Sequence, residues 1–293
     1  MARINAWLGT TDSDAAHSAN WTLGITPSSG QDIVFDARGQ SSCLSHMYAF
    51  SHDDNSGAAC DLNSFRITTG FTGDVGTSLS DANVIAETVI IDANEATAVY
   101  LAVPSNDSTG SAECVDLRIY AGDSDDECIS IGNQSTCYAT NVFLFGGKIR
   151  LDNFKASEVW CLTDAAEVNR TANTEISNWY QRQGDVTSSA GDATADRIYI
   201  DGGTYDHRGG DIYFVKTAQE GVFKWSPSTD GKSIDYAYAD GGQIDASEGD
   251  KQSIITYCTY APGGIIDVRN ADVDITNEID AGGTIVRDAG ERV

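Results

Sequence analysis

A short phrase recurs along this chain and limits what it can fold into. A glycine pair followed by alternating β-branched residues reads GGKIRL at 146–151, GGQIDA at 241–246, GGIIDV at 263–268 and GGTIVR at 282–287. A further pair stands at 202. The pairs at 202, 241, 263 and 282 are spaced by 39, 22 and 19 residues, so one weak copy hidden in the first interval gives a period of about 20. A period of that size suits a solenoid, in which each repeat is one turn of a coil and buries its apolar stripe only against its neighbours. A glycine corner lets the backbone turn with positive φ, and the Ile-x-Val that follows sends alternate side chains inward. The expectation is an all-β, single-stranded parallel β-helix of about ten coils, on the order of 50 Å long at one strand spacing per coil. A β-sandwich or jelly roll with coincidental glycine turns is the competing architecture.

Composition agrees with strands. Ile outnumbers Leu by 24 to 10, with 29 Gly, 12 Tyr and only 4 Pro. The 293 residues are 41% hydrophobic, enough for a sizeable core. Net charge is −26. Residues 1–117 hold 15 acids against only Arg3, Arg38 and Arg66. Such a surface repels phosphate backbones and anionic lipid, so neither nucleic acid nor membrane is an expected partner. The acidity also keeps an edge-rich β protein soluble.

The seven cysteines are odd in number, irregularly spaced and without a CxxC pair, so neither a zinc site nor a disulfide framework is indicated. The opening MARINAWLGTTDSD lacks the apolar segment of a secretory signal, and no apolar run is long enough to span a bilayer. These features point to synthesis in a reducing cytoplasm with free thiols packed as small hydrophobes.

Residues 1–40 read as an irregular lead-in and capping segment, and 41–293 as one β-helical body. From residue 84 strands of four to nine residues alternate with Gly, Asn, Asp and Ser clusters. Residues 164–190 interrupt this rhythm and read as an excursion, a short helix or a projecting loop.

The stretch NWTLGITPSSGQDIVFDA at 20–37 resembles the lead-in found ahead of many parallel β-helices of phage-encoded and bacterial surface proteins. The later glycine-pair phrases look like coils of that group, and together they cover about two-thirds of the chain. The matching motifs are architectural. Surface adhesins of the group carry an export signal and an anchor, whereas phage virion proteins need neither. The resemblance therefore implies a structural virion protein.

Candidate chemistry is sparse. Asp201 to Asp211 (DGGTYDHRGGD) gathers three carboxylates, a His and an Arg, the kind of acid cluster that polysaccharide-cleaving β-helices use. On a strand Asp206 and Arg208 share a face, so an ordinary ion pair accounts for them as well. Asp123, Asp125 and Asp126 offer oxygen ligands on short side chains and form the candidate calcium loop, without the EF-hand order. The acids between Asp272 and Asp280 raise the same thought, and His52-Asp53-Asp54 is a further acid–base candidate. The five Trp and the Tyr-rich SIDYAYAD and TYCTY suit a sugar-stacking surface, an aromatic ladder or an intersubunit contact, with Tyr236 and Tyr238 on one face. No P-loop, dinucleotide fingerprint or nucleophile elbow is present.

The resulting expectation is a non-enzymatic capsid decoration or cement protein. It would be a homo-trimer bound over junctions of the major capsid protein or other virion proteins, using 1–40 and 164–190 as contacts, with no cofactor beyond the calcium suggested above. The alternative is a tailspike or receptor-binding module that binds or cleaves host polysaccharide.

Overall fold

A computed structural model describes residues 3–39, 41–45, 47–50, 61–93, 97–103, 114–120, 129–132, 137–164, 166–171, 173–188, 194–249, 251–269 and 272–288. The chain is all-β with parallel stacked coils, a β-solenoid. Two 3-10 turns, Ser18–Asn20 and Met47–Phe50, are the helical elements among the described residues. The expected parallel β-helix is thus the fold, and the sandwich alternative, which needs facing antiparallel layers, is excluded. The chain divides into two compact units, residues 1–156 and 157–293.

In the first unit a row of longer strands stacks in parallel: Arg3–Ala6, Gln31–Phe35, Leu62–Ile67, Ala86–Ile91, Cys114–Tyr120 and the first half of Cys137–Leu151. A row of shorter strands, Ala82–Asn83, Val99–Ala102 and Ile129–Ile131, ends on the last residues of Cys137–Leu151. That strand serves both rows because it turns at Gly146-Gly147, where Gly147 takes φ 83°. The first glycine phrase is therefore a corner. In-register inward residues form unbroken columns, such as Ile33, Phe65, Val89, Leu117 and Val142, all fully buried. Each such side chain contributes roughly 1.5–3 kcal/mol by leaving water.

The lead-in supplies the first two rungs of this unit through Arg3–Ala6 and Gln31–Phe35. Its motif residues have structural work. The Asn20 amide donates to the Asp12 carboxylate (2.7 Å) and to the Asp12 and Asp14 carbonyls, while its oxygen accepts from the Thr11 N–H. Trp21 is buried with its indole N–H donating to the Ala15 carbonyl at 2.8 Å. One buried amide thus knits a loop that has no ladder of its own.

The second unit repeats the plan. Its longer strands include Glu175–Gln181, Thr194–Ile200, Ile212–Ala218, Lys232–Asp240, Ser253–Tyr260 and Val273–Asp280. The shorter row is Ala166–Arg170, Asp185–Ser188, Thr204–His207, Val222–Trp225, Gln243–Asp245, Ile265–Asp267 and Thr284–Val286. The glycine pairs stand at the corners between the rows. Gly203 has φ 74°, and a Cβ there would lie 2.1 Å from the Gly184 carbonyl oxygen, so a side chain is excluded on both counts. The hidden copy is Gln219-Glu220-Gly221: Gln219 adopts the left-handed conformation (φ 53°) that Gly241 takes in the next coil.

One expectation is corrected. Residues 164–190 do not leave the coil; among those described, Ala166–Arg170, Glu175–Gln181 and Asp185–Ser188 are rungs in register with their neighbours. Several of their inward positions are polar, so the apolar alternation that marks the other strands is missing.

Several longer strands carry one doubled outward step. Ile212 and Val215 are buried with Tyr213 and Phe214 both outward between them, and the same pattern places Asp235-Tyr236 and Thr256-Tyr257 outward. Such a doubled outward step turns the strand while keeping its inward columns aligned.

Candidate functional site

The 201–211 segment does not assemble an acid–base site. Strand Thr204–His207 sends Tyr205 and His207 inward, both fully buried, and Asp206 outward. Asp206 pairs with Arg208 at 2.6 Å on the surface, the ordinary ion pair open to those residues from sequence. Asp211 accepts from the backbone N–H and hydroxyl of Ser233 in the next coil, at 2.8 and 3.2 Å. Asp211 thus ties two coils together on the outside, Asp206 pairs within its own coil, and the imidazole faces the core.

His207 heads an interior feature that sequence reading missed. Arg170, Ser188, His207 and Trp225 stand in register in four successive short strands, forming one buried column. The Arg170 guanidinium donates to the Tyr205 hydroxyl and the Thr174 carbonyl and lies over the Trp179 and Tyr205 rings at 5.7 and 5.9 Å. Burial pushes its pKa down to about 9. His207 Nε2 lies 3.0 Å from the Gly210 carbonyl, which can only accept, so Nε2 carries the proton and Nδ1 is the bare nitrogen. Burial pushes the His207 pKa down to about 4, only partly opposed by that hydrogen bond. Ser188 Oγ, His207 Nδ1, Thr217 Oγ1 and Trp225 Nε1 are buried without a hydrogen-bond partner among the described residues. The signal in the sequence was the period itself: one coil separates 170, 188, 207 and 225.

On the outside, the corners of four successive coils form a groove of about 600 Å³. Asp164, Asp201 and Glu220 line it with Arg182, Gln183 and Gln219, above the glycines 184, 202 and 203. Buried Gln181 fixes its floor by donating to the Gly184 and Thr204 carbonyls at 2.7 and 3.0 Å.

Beside it runs an aromatic ladder on the outer face of the longer strands. Trp160 stacks on Tyr180 at 4.1 Å and Tyr180 on Tyr199 at 5.1 Å, with interplanar angles of 16° and 9°. Tyr236 stacks on Tyr257 at 5.0 Å. Tyr236 and Tyr238 share this face, in keeping with the alternation of their strand. Because the rings cover one another's faces, they present edges and hydroxyls outward, a poor geometry for stacking sugars. The other four Trp (7, 21, 179 and 225) are buried in the cores.

Asp123, Asp125 and Asp126 lie outside the described residues, as do His52, Asp53 and Asp54. The acids from 272 to 280 do not converge. Glu278 accepts from the Tyr260 hydroxyl at 2.6 Å and pairs with Arg287, while Asp280 accepts from the Gly282 N–H. No group of three or more His, Cys, Asp or Glu among the described residues is arranged to hold a metal ion. Cys43, Cys114, Cys137, Cys161 and Cys258 are buried, as expected of small hydrophobes. Burial raises all five thiol pKa values, to about 12 for the latter four. No described helix is long and apolar enough to cross a membrane. No known protein family, curated protein or solved structure matches the chain.

Proposed function

We propose that this chain is a non-enzymatic structural protein of a virion, a stiff acidic solenoid that decorates the capsid as a homo-trimer and stabilises junctions between capsid subunits. The observation that carries the reading is the commitment of side chains to the coil itself. Inward residues stack in columns, and outward carboxylates such as Asp206 and Asp211 bind neighbouring residues of the same chain. A body built this way acts through surface contact. The lead-in, whose sequence resembles that of phage β-helices, also exposes Ile4, Leu23 and Ile25, apolar side chains suited to a partner surface. Buried area at each junction offsets the tendency of capsid subunits to separate.

Quantitative mass spectrometry of purified virions tests this: hundreds of copies per particle are expected. A handful of copies, with release of reducing ends from host capsular polysaccharide, would replace decoration by a tailspike role.

A further inference from the structure

The second unit carries its oxidisable surface groups in an ordered row. Residues 157–293 contain no Met, and their two cysteines, Cys161 and Cys258, are buried. Thiols react with oxidants through an accessible thiolate, which burial denies to both. The electron-rich side chains left outside are rings, and three of them, Tyr213, Tyr236 and Tyr257, are 46%, 40% and 41% exposed. Parallel register sets Tyr236 directly beside Tyr257 of the next coil. Their rings lie face to face, with 5.0 Å between centroids and 8° between planes. Tyr213 meets Tyr236 edge-on, at 5.4 Å and 70°. Tyr180 and Tyr199 also stack, but Trp160 stacks on Tyr180 from the coil before and closes it in.

We propose that Tyr236 and Tyr257 form a site of oxidative cross-linking, joined as a dityrosine that staples two neighbouring coils of one chain. The oxidant is hydrogen peroxide acting through a haem peroxidase. It takes one electron from each ring, and each phenol releases its proton to the solvent that reaches these half-exposed residues. The unpaired electron of each phenoxyl radical spreads to the ring carbons beside the oxygen. One such carbon from each ring forms the new C–C bond, and the hydrogen on each bonded carbon moves to its own phenol oxygen, restoring the aromatic rings. The pair loses two hydrogens in all, and one peroxide is reduced to two waters. The coil supplies the proximity. Strands one rung apart hold the rings at about 4.8 Å, so coupling needs rotation of the side chains and no movement of the strands. The coil after Tyr257 presents the smaller Asn277 at the same position, which leaves room for that rotation. The bond closes a loop of about 20 residues and restricts the unfolded chain as a disulfide does.

Treatment of the full chain with horseradish peroxidase and hydrogen peroxide, at low protein concentration, tests it. Dityrosine fluorescence should appear, with a chain mass lowered by two hydrogens. Tandem mass spectrometry should find one cross-linked peptide pair, holding Tyr236 and Tyr257. The second unit of the product should unfold at higher denaturant than that of the untreated chain. Tyr257→Phe keeps a stacked ring but cannot form the phenoxyl radical, so the product should be lost. Tyr213→Phe should leave the yield unchanged. The proposal is overturned if no dityrosine forms, or if the bond joins separate chains or Tyr180 to Tyr199 in preference. A yield that survives Tyr257→Phe overturns it equally.

Discussion

The first unit fills the start of its coil with rings. Phe35 contacts Trp7, Trp21, Phe50, Phe65 and Phe71 at centroid distances of 5.2 to 6.1 Å, and the two indole N–H groups donate to the Ser41 and Ala15 carbonyls. The second unit uses the same parallel rungs but threads a polar column, Arg170–Ser188–His207–Trp225, through its interior. Backbone stacking sets the coil in both, so the interior is free to differ. In one unit it is an aromatic plug whose stability lies in packing. In the other, buried polar atoms offset part of the apolar gain. The comparison predicts that the first unit is sensitive to lost volume and the second to protons and charge.

The largest effect is expected from Phe35→Ala, which removes the ring at the centre of the plug. A cost of about 3–5 kcal/mol follows from lost transfer energy and the cavity left behind. Denaturant unfolding, with hydrogen exchange read separately over 1–156 and 157–293, checks it. A loss under about 1 kcal/mol would mean that the plug relaxes around the hole and is not the anchor of its unit.

Next in size is an acid effect confined to the second unit. His207 has a pKa near 4 when folded against about 6.5 when unfolded. Between those values the unfolded chain holds a proton that the folded chain refuses. Stability is therefore full above pH about 6.5, falls as pH drops toward 4 and levels below, a total of about 3 kcal/mol. The lowered carboxylates Asp36 and Asp267, held down by Arg38 and Arg269, lose their contribution only as pH falls through and below the ordinary Asp range. His207→Gln should flatten the upper window. No histidine stands among the described buried residues of the first unit, so protection from exchange there should stay level from pH 6.5 to 4.5. An equal loss in both units would break the contrast.

A smaller change of opposite sign is expected when polarity is taken out of the column. Arg170→Met with Tyr205→Phe keeps the volume and removes the guanidinium together with the hydroxyl it donates to. Replacing buried ionic groups by apolar ones of similar size is commonly neutral or stabilising by about 1–4 kcal/mol. A midpoint that rises or holds in denaturant supports the view that this column costs stability. A drop above about 2 kcal/mol would show that it is needed for the coil.

The same column explains what the sequence concealed. The corners were legible because glycine is required there sterically, and the Ile and Val columns because alternation survives between them. Residues 164–190 were not, since Arg170, Gln181 and Ser188 hold inward places and erase the apolar beat. The hidden repeat escaped because Gln219 carries a positive φ that is usually left to Gly. The doubled outward steps, such as Tyr213-Phe214, also break a strict period of two. Of the surfaces, the shared face of Tyr236 and Tyr238 follows from alternation within one strand. The stacking of Tyr236 on Tyr257, and the gathering of Asp164, Asp201 and Glu220, need the register between coils, which no local pattern encodes.

The smallest expected effect concerns the segment whose composition looked most catalytic. Asp206 and Arg208 sit two residues apart and pair at 2.6 Å, with the Arg side chain 53% exposed. An exposed pair of this kind contributes about 0–1 kcal/mol, because solvent screens the attraction and ordering two side chains offsets it. Asp206→Asn keeps the shape and removes the charge, so unfolding midpoints should shift by no more than about 0.5 kcal/mol. Raising the salt concentration should shrink even that difference. The contrast with His207 is informative, since the two residues are adjacent in the chain yet face opposite ways. A large loss from Asp206→Asn would mean that the outer rim, and not only the interior column, carries the second unit's dependence on charge.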